Sequence, residues 1–144
     1  MTALPIPSGP TIREIIDFAF AAMGTSDAMF GHSENEYAAA LTSLNAMMSE
    51  WPFDQLGYIF EDAAGVRLEE ESGIARQHMA AVGYALAERM APSMGKTLTP
   101  ETRRIKGQTY SRLCAAVADI PAAQYAENTP TGYRYGRTYF ARPE

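Results

Sequence analysis

The chain is punctuated by helix starts, and these limit its fold more than any other feature. Thr11 and Glu14 have the spacing of a capping box, in which the hydroxyl takes an orphan amide and the carboxylate reaches back to the cap. Ser33 and Glu36 repeat the arrangement. Thr99-Pro100-Glu101 is a third start, with a capping hydroxyl, a proline suited to the first helical position and an acid that complements the dipole. Behind each start the apolar residues recur at three and four, the spacing of one helix face. In the first helix they are Ile12, Ile15, Ile16, Ala19, Ala22 and Met23, and Gly24 supplies the stop. In the second they are Tyr37, Ala40, Leu41, Leu44, Met48 and Trp51, with Pro52 as the breaker.

A third helix is expected over residues 72–91, before Pro92, with Ala75, Met79, Val82, Leu86 and Met90 as its stripe. Ala80, Gly83 and Ala87 add a seam of small residues. A helical glycine costs up to about 1 kcal/mol relative to alanine, so Gly83 implies close approach of another helix. The fourth helix, from Thr99 to a stop at Pro121, turns Ile105, Tyr110, Leu113, Val117 and Ile120 toward the core. Between the second and third helices the period fails. Tyr58-Ile59-Phe60 and Val66-Arg67-Leu68 flank an acidic, glycine-containing stretch, which fits a short hairpin or a loop anchored by aromatics. The expected fold is therefore all-α, a compact four-helix domain over residues 1–120. Residues 121–144 form an extended C-terminal arm.

That arm has no sustained period, yet it holds Tyr125, Tyr133, Tyr135, Tyr139 and Phe140 beside Arg134 and Arg137. Linkers that stay disordered are poor in aromatics, whereas aromatics and arginines supply much of the energy at interfaces. A partner-binding arm is the expectation. A strap folded back on its own domain is the alternative.

The 144 residues carry a net charge of −5, which disfavours a protein that coats nucleic acid by neutralising phosphates. The charge is uneven. Residues 50–71 hold seven acids (Glu50, Asp54, Glu61, Asp62, Glu69, Glu70, Glu71) against Arg67, and residues 99–118 hold Arg103, Arg104, Lys106 and Arg112 against Glu101. Arg103, Arg104 and Lys106 on one side, and Glu69, Glu70 and Glu71 on the other, are candidates for contacts between subunits. Two solvated faces are the plainer reading. No apolar run approaches the ~20 residues of a membrane span. The start of the chain lacks the basic residues and long apolar stretch of a signal peptide. The single cysteine, Cys114, cannot form an internal disulfide. An intracellular compartment fits these features.

Enzyme signatures are weak. Gly95-Lys96-Thr97 looks like the end of a phosphate-binding loop, but Met90 stands where the motif needs its first glycine, and a helix rather than a strand precedes it. His32 and His78 stand far apart, with no second histidine at metal spacing. Cys114 reads as a small apolar filler. Met47, Met48 and Trp51 read as core. Neither catalytic residues, a metal site nor a cofactor is expected, although a carboxylate pair such as Glu50 and Asp62 would suit a small glycan hydrolase.

The stretch Leu44-Asn45-Ala46-Met47-Met48-Ser49-Glu50-Trp51, followed by Gly57-Tyr58-Ile59-Phe60, resembles the P22-type tail accessory family of phage head–tail adaptors. The resemblance continues in Gly73-Ile74, in the alanine-rich third helix up to Ala91-Pro92, in the fourth helix, and in Pro130-Thr131-Gly132 of the tail. This chain departs from the family by Pro52-Phe53 after the tryptophan, by a compact 54–71 connection and by its terminal tyrosines. The resemblance implies a structural head-completion protein, made in the host cytoplasm and housed in the virion at the head–tail junction. Such adaptors form a ring, usually of twelve copies, below the portal protein. The ring encloses duplex DNA without reading its sequence, extends the channel and offers a surface to a downstream tail protein. The resemblance places the portal contact in the arm, at Tyr125, Pro130, Thr131, Gly132, Tyr133, Arg134, Tyr135, Arg137, Tyr139 and Phe140. A helical regulator binding DNA through the bases of the fourth helix is the competing expectation.

Overall fold

The computed structural model describes residues 9–25, 31–60 and 68–120. Among these, four α-helices form and no strand does: α1 (Ile12–Ala22), α2 (Glu34–Met48), α3 (Met79–Met90) and α4 (Pro100–Val117). Short 3-10 turns occupy Phe53–Leu56 and Arg76–His78. The fold is all-α.

The starts lie where the sequence puts them. Thr11 Oγ1 accepts the Glu14 amide while Glu14 Oε2 accepts the Thr11 amide, each at 3.2 Å. Ser33 and Glu36 close the same reciprocal pair at the head of α2. Thr99 Oγ1 takes the Thr102 amide at 3.2 Å with Pro100 in the first turn of α4. The stop after α1 is also as expected, with Gly24 at φ +73°.

α3 is the hub. It packs against α1, α4 and α2, with α1 its main partner. Ile12, Ile15, Ile16, Ala19 and Phe20 of α1 meet Ala40, Leu41, Leu44, Met47 and Met48 of α2 and Val82, Leu86, Ala87 and Met90 of α3 in one core. The seam of small residues does what its composition implies. A Cβ on Gly83 would stand 2.2 Å from Phe18 Cδ1, so the ring of α1 lies directly on the α3 backbone. Phe18 meets Tyr84 edge-on, with ring centroids 5.0 Å apart.

The third helix is shorter than the sequence suggests. It begins at Met79, not near residue 72, and Ala75 is exposed rather than part of a stripe. Residues 71–74 serve another purpose. Ser72 is fully buried, its hydroxyl and its amide both donate to the Pro10 carbonyl, at 2.7 and 3.1 Å, and its Oγ accepts the Ile74 amide. Gly73 has φ +76°, a left-handed conformation outside any right-handed helix. Glu71 forms an isolated bridge with Thr11. The carbonyls of Glu70 and Leu68 accept the Ile12 and Arg13 amides, two of the orphan donors at the head of α1.

This crosspiece also receives the chain at Ile59, at the edge of the stretch that the sequence fits to either a hairpin or a loop. The Ile59 amide donates to the Ser72 carbonyl at 2.9 Å, and Leu68 bonds to Arg13. Val66 and Arg67 lie outside the described residues. At the end of α2 the helix stops at Met48, short of Trp51, so the stripe no longer governs where the indole points. Met47 and Met48 are core as expected, but Trp51 is 58% exposed. α4 is likewise more exposed than its apolar residues suggest. Leu113 is its buried residue, Tyr110 and Val117 are half-buried against the core, and Ile120 lies beyond the helix at 84% exposure.

Candidate interaction surfaces

The expected subunit-contact residues fall in two places. Glu69, Glu70 and Glu71 sit on the crosspiece beside the head of α1. Glu69 pairs with Arg13 at 2.7 Å, Glu71 Oε1 accepts the Gly9 amide at 2.9 Å, and the Glu70 carbonyl is used by Ile12. Arg103, Arg104 and Lys106 lie in the first half of α4. Arg104 pairs with Glu101 one turn back. This contact holds the Glu101 carboxyl below its usual range and raises the guanidinium. Lys106 Nζ reaches Glu88 Oε2 at 2.6 Å and ties α4 to α3. Arg103 and Arg112 make no ion pair among the described residues.

The four bases of α4 do not share a face. Residues nine apart stand about half a turn from each other on an α-helix, so Arg103 and Arg112 point to opposite flanks. The Arg103 flank runs beside Tyr110, whose ring meets Phe53 at 6.0 Å between centroids. The Arg112 flank opens into a groove of about 330 Å³ between the start of α3 and the second half of α4. Ala80, Ala81, Leu113 and Ala116 line it together with the polar Gln77, His78, Thr109 and Arg112.

A second surface follows α2. Trp51, Ile59 and Phe60 are each more than half exposed, at 58, 53 and 58%. Exposed Asp54 lies between them in sequence and has no ion pair among the described residues. Their neighbours Pro52, Phe53 and Tyr58 are buried. Tyr58 donates to Asn45 of α2 at 2.8 Å and meets Phe60 edge-on at 5.1 Å. Glu50, just before the tryptophan, pairs with Arg89 of α3. The segment is thus held from beneath while its large apolar side chains face outward. Sequence reading placed Trp51 in the core. The available signal was the failure of the helical period beside it, because an aromatic without a periodic stripe has no assigned inside.

The remaining chemistry-bearing residues are structural in their contacts. His32 stacks on Phe20 with ring centroids 3.7 Å apart, and its Nδ1 lies 3.5 Å from Glu36. The Glu36 carboxyl is lowered, chiefly by the Ser33 backbone amide it accepts. Tyr37 donates to Asp17 at 2.6 Å, and burial followed by that bond pushes its hydroxyl up to about 12. Burial first, and then Cys114, raise Tyr110. Gly95 forms a left-handed turn after α3, not a strand-led phosphate loop. Asp62 and the whole proposed portal-binding set from Tyr125 to Phe140 lie outside the described residues.

Comparison with known families decides what kind of protein carries these surfaces. Residues 11–141 match the P22 tail accessory factor family. The chain belongs to that family. The match takes in all four helices and most of the segment after them. It assigns the chain a structural, tail-associated role in a bacteriophage. No curated protein matches the sequence.

Proposed function

We propose that this protein is a head–tail adaptor, a head-completion protein whose copies form a ring, most simply of twelve, beneath the phage portal. The ring extends the DNA channel and offers the surface to which a tail protein attaches. The observation that carries this reading is the span of the family match, which begins at the cap of α1 and runs through the helical body to residue 141. A virion protein with this role needs surfaces for copies of itself and for two unlike neighbours, and it needs no catalytic cluster.

In this reading residues 121–144 are the arm that reaches the portal. Tyr125, Tyr133, Tyr135, Tyr139 and Phe140 are its apolar anchors, Pro130, Thr131 and Gly132 its turn, and Arg134 and Arg137 its contacts to acidic groups. Ordering such an arm costs roughly 1–2 kcal/mol per backbone residue, which explains why so many aromatics are needed to offset it.

The regulator reading is less well supported. A helix that grips DNA presents its bases together to the phosphates. Here Arg104 and Lys106 are engaged by Glu101 and Glu88, and Arg103 and Arg112 face opposite ways. A glycan hydrolase needs a carboxyl of raised pKa as its acid. Glu36 and Glu101 have carboxyls held below their usual range, the opposite of what such an acid needs.

Electron microscopy of purified portals mixed with the full chain tests the proposal. A ring of density below the portal is expected, and its loss when the chain is truncated after Ile120 assigns the arm. Portals left bare by the full-length chain would overturn the adaptor reading. Tight, sequence-selective duplex binding at physiological salt would favour the regulator in its place.

A further inference from the structure

A head-to-tail ring joins one face of a subunit to a different face of the next. Two of the surfaces that the described residues leave open differ in this way. One is the segment after α2, with Trp51, Ile59 and Phe60 more than half exposed and Asp54 in no ion pair among those residues. The other is the groove between α3 and α4, lined by apolar residues together with polar ones that include Arg112 and His78, with no acid in its lining. They lie on opposite flanks of α4. Phe53, within the first segment, packs on Tyr110, whereas Arg112 borders the groove, and residues two apart on a helix diverge by about 200°.

We propose that the occupant of the groove is a second copy of this chain, which inserts Trp51 over Ala80, Ala81, Leu113 and Ala116 and sets Asp54 against Arg112. The inference rests on the ring reading above and supplies its subunit contact. The charge complementarity is specific. Arg112 is the base on that flank left unmatched by any acid among the described residues, and Asp54 is the unmatched acid on the exposed apolar segment. The apolar parts match in kind as well. Ile59 and Phe60 are contiguous and exposed, and exposed apolar side chains mark association surfaces when they cluster; a groove lined by three alanines admits an aromatic ring without displacing bulk. Because the two faces are different and lie on opposite flanks, each copy can give its knob to one neighbour and its groove to the other. The contact does not call on Glu69 or Glu71, which serve Arg13 and Gly9 at the head of α1.

The test is a charge exchange in the full chain, read by sedimentation velocity alone and by electron microscopy on portals. Asp54→Arg and Arg112→Asp should each weaken assembly at least about tenfold, the scale of a central interface residue, with unchanged helical circular dichroism. Mixed in equal amounts the two variants should assemble again around an alternating ring. The arginine introduced in one then meets the aspartate introduced in the other, and the native Asp54 of the second meets the native Arg112 of the first. Trp51→Ala, which changes no charge and alters an exposed side chain, should weaken assembly to a similar degree. If both charge variants assemble as the parent does, the contact is overturned while the ring reading stands. If the parent is monomeric alone and absent from portals, both fall. Unchanged assembly together with faster proteolysis of residues 121–144 in Arg112→Asp would give the groove to the chain's own C-terminal segment and overturn the proposal.

Discussion

Replacing Gly83 by alanine sets two effects of known size against each other. Alanine is favoured over glycine inside a helix by about 1 kcal/mol, so propensity alone predicts a more stable protein. The new Cβ, however, would meet Phe18 Cδ1 at 2.2 Å and Cε1 at 2.9 Å. Phe18 must withdraw. It then loses its edge contact with Tyr84, worth about 0.5–1.5 kcal/mol, and α1 is forced away from α3 at a typical overpacking cost of about 1–3 kcal/mol. The net expectation is a loss of about 2 kcal/mol, or roughly 6–8 °C in Tm for a chain of this length. Gly107, on the outer face of α4, has nothing within 4 Å of its missing Cβ. Gly107→Ala should therefore stabilise by up to about 1 kcal/mol. Urea melts of both variants, followed by helical circular dichroism, measure the two signs. The decisive control is the Phe18→Ala background, where the ring is gone and Gly83→Ala should become neutral or stabilising. A Gly83→Ala protein as stable as the parent, or an equal loss without Phe18, would refute the close-packing account.

Further consequences are open to measurement. Ser72→Ala strands the Ile74 amide in a buried site and removes the hydroxyl bond to Pro10, and should cost about 1–3 kcal/mol in a denaturant melt. Tyr37 has its folded-state pKa raised from 10.0 to about 12 by burial and by Asp17, so its neutral form is favoured by folding. Its contribution is complete below the unfolded value of 10.0 and lost as the pH rises through about 12, and Tyr37→Phe should flatten the stability curve in that window. Lys106→Ala should cost no more than about 1 kcal/mol, and the loss should shrink in concentrated salt, because the pair with Glu88 is partly exposed. A salt-independent loss would mean that the Lys106 ammonium over the Tyr110 ring, 5.3 Å from its centroid, rather than the pair with Glu88, holds α4 in place.

Where the sequence was legible, a local rule and the tertiary demand agreed. Thr11, Ser33 and Thr99 cap because the donors they satisfy lie within three residues, and no distant contact can change that. Gly83 was readable for a related reason. An uncompensated glycine in a helix is a standing cost, so its presence pointed to a neighbour before Phe18 could be named. The errors lie where a distant partner overrode the local pattern. Residues 72–75 continue an acceptable helical stretch, yet the Pro10 carbonyl, 62 positions away, takes the Ser72 hydroxyl. The Ile59 amide likewise bonds to the distant Ser72 carbonyl.

The candidate site was harder to read than the fold because an assembly surface is defined by what its own subunit leaves over. Charge runs in the sequence suggested that Glu69, Glu70 and Glu71 face the bases of α4 in another copy. Within one subunit Glu69 and Glu71 serve Arg13 and Gly9, while Arg104 and Lys106 pair with Glu101 and Glu88. In the described parts of the two charge runs this leaves Asp54, Arg103 and Arg112, residues with no distinction in a linear reading. The same subtraction applied to apolar residues removes Met47, Met48 and Phe53 and leaves Trp51, Ile59 and Phe60, besides Ile120 beyond α4. A period extrapolated one turn too far hid Trp51 in the core. The three-dimensional subtraction brings it out near the acid that the opposite groove lacks, and that conjunction, rather than charge or hydrophobicity taken singly, gives the proposed ring contact its polarity.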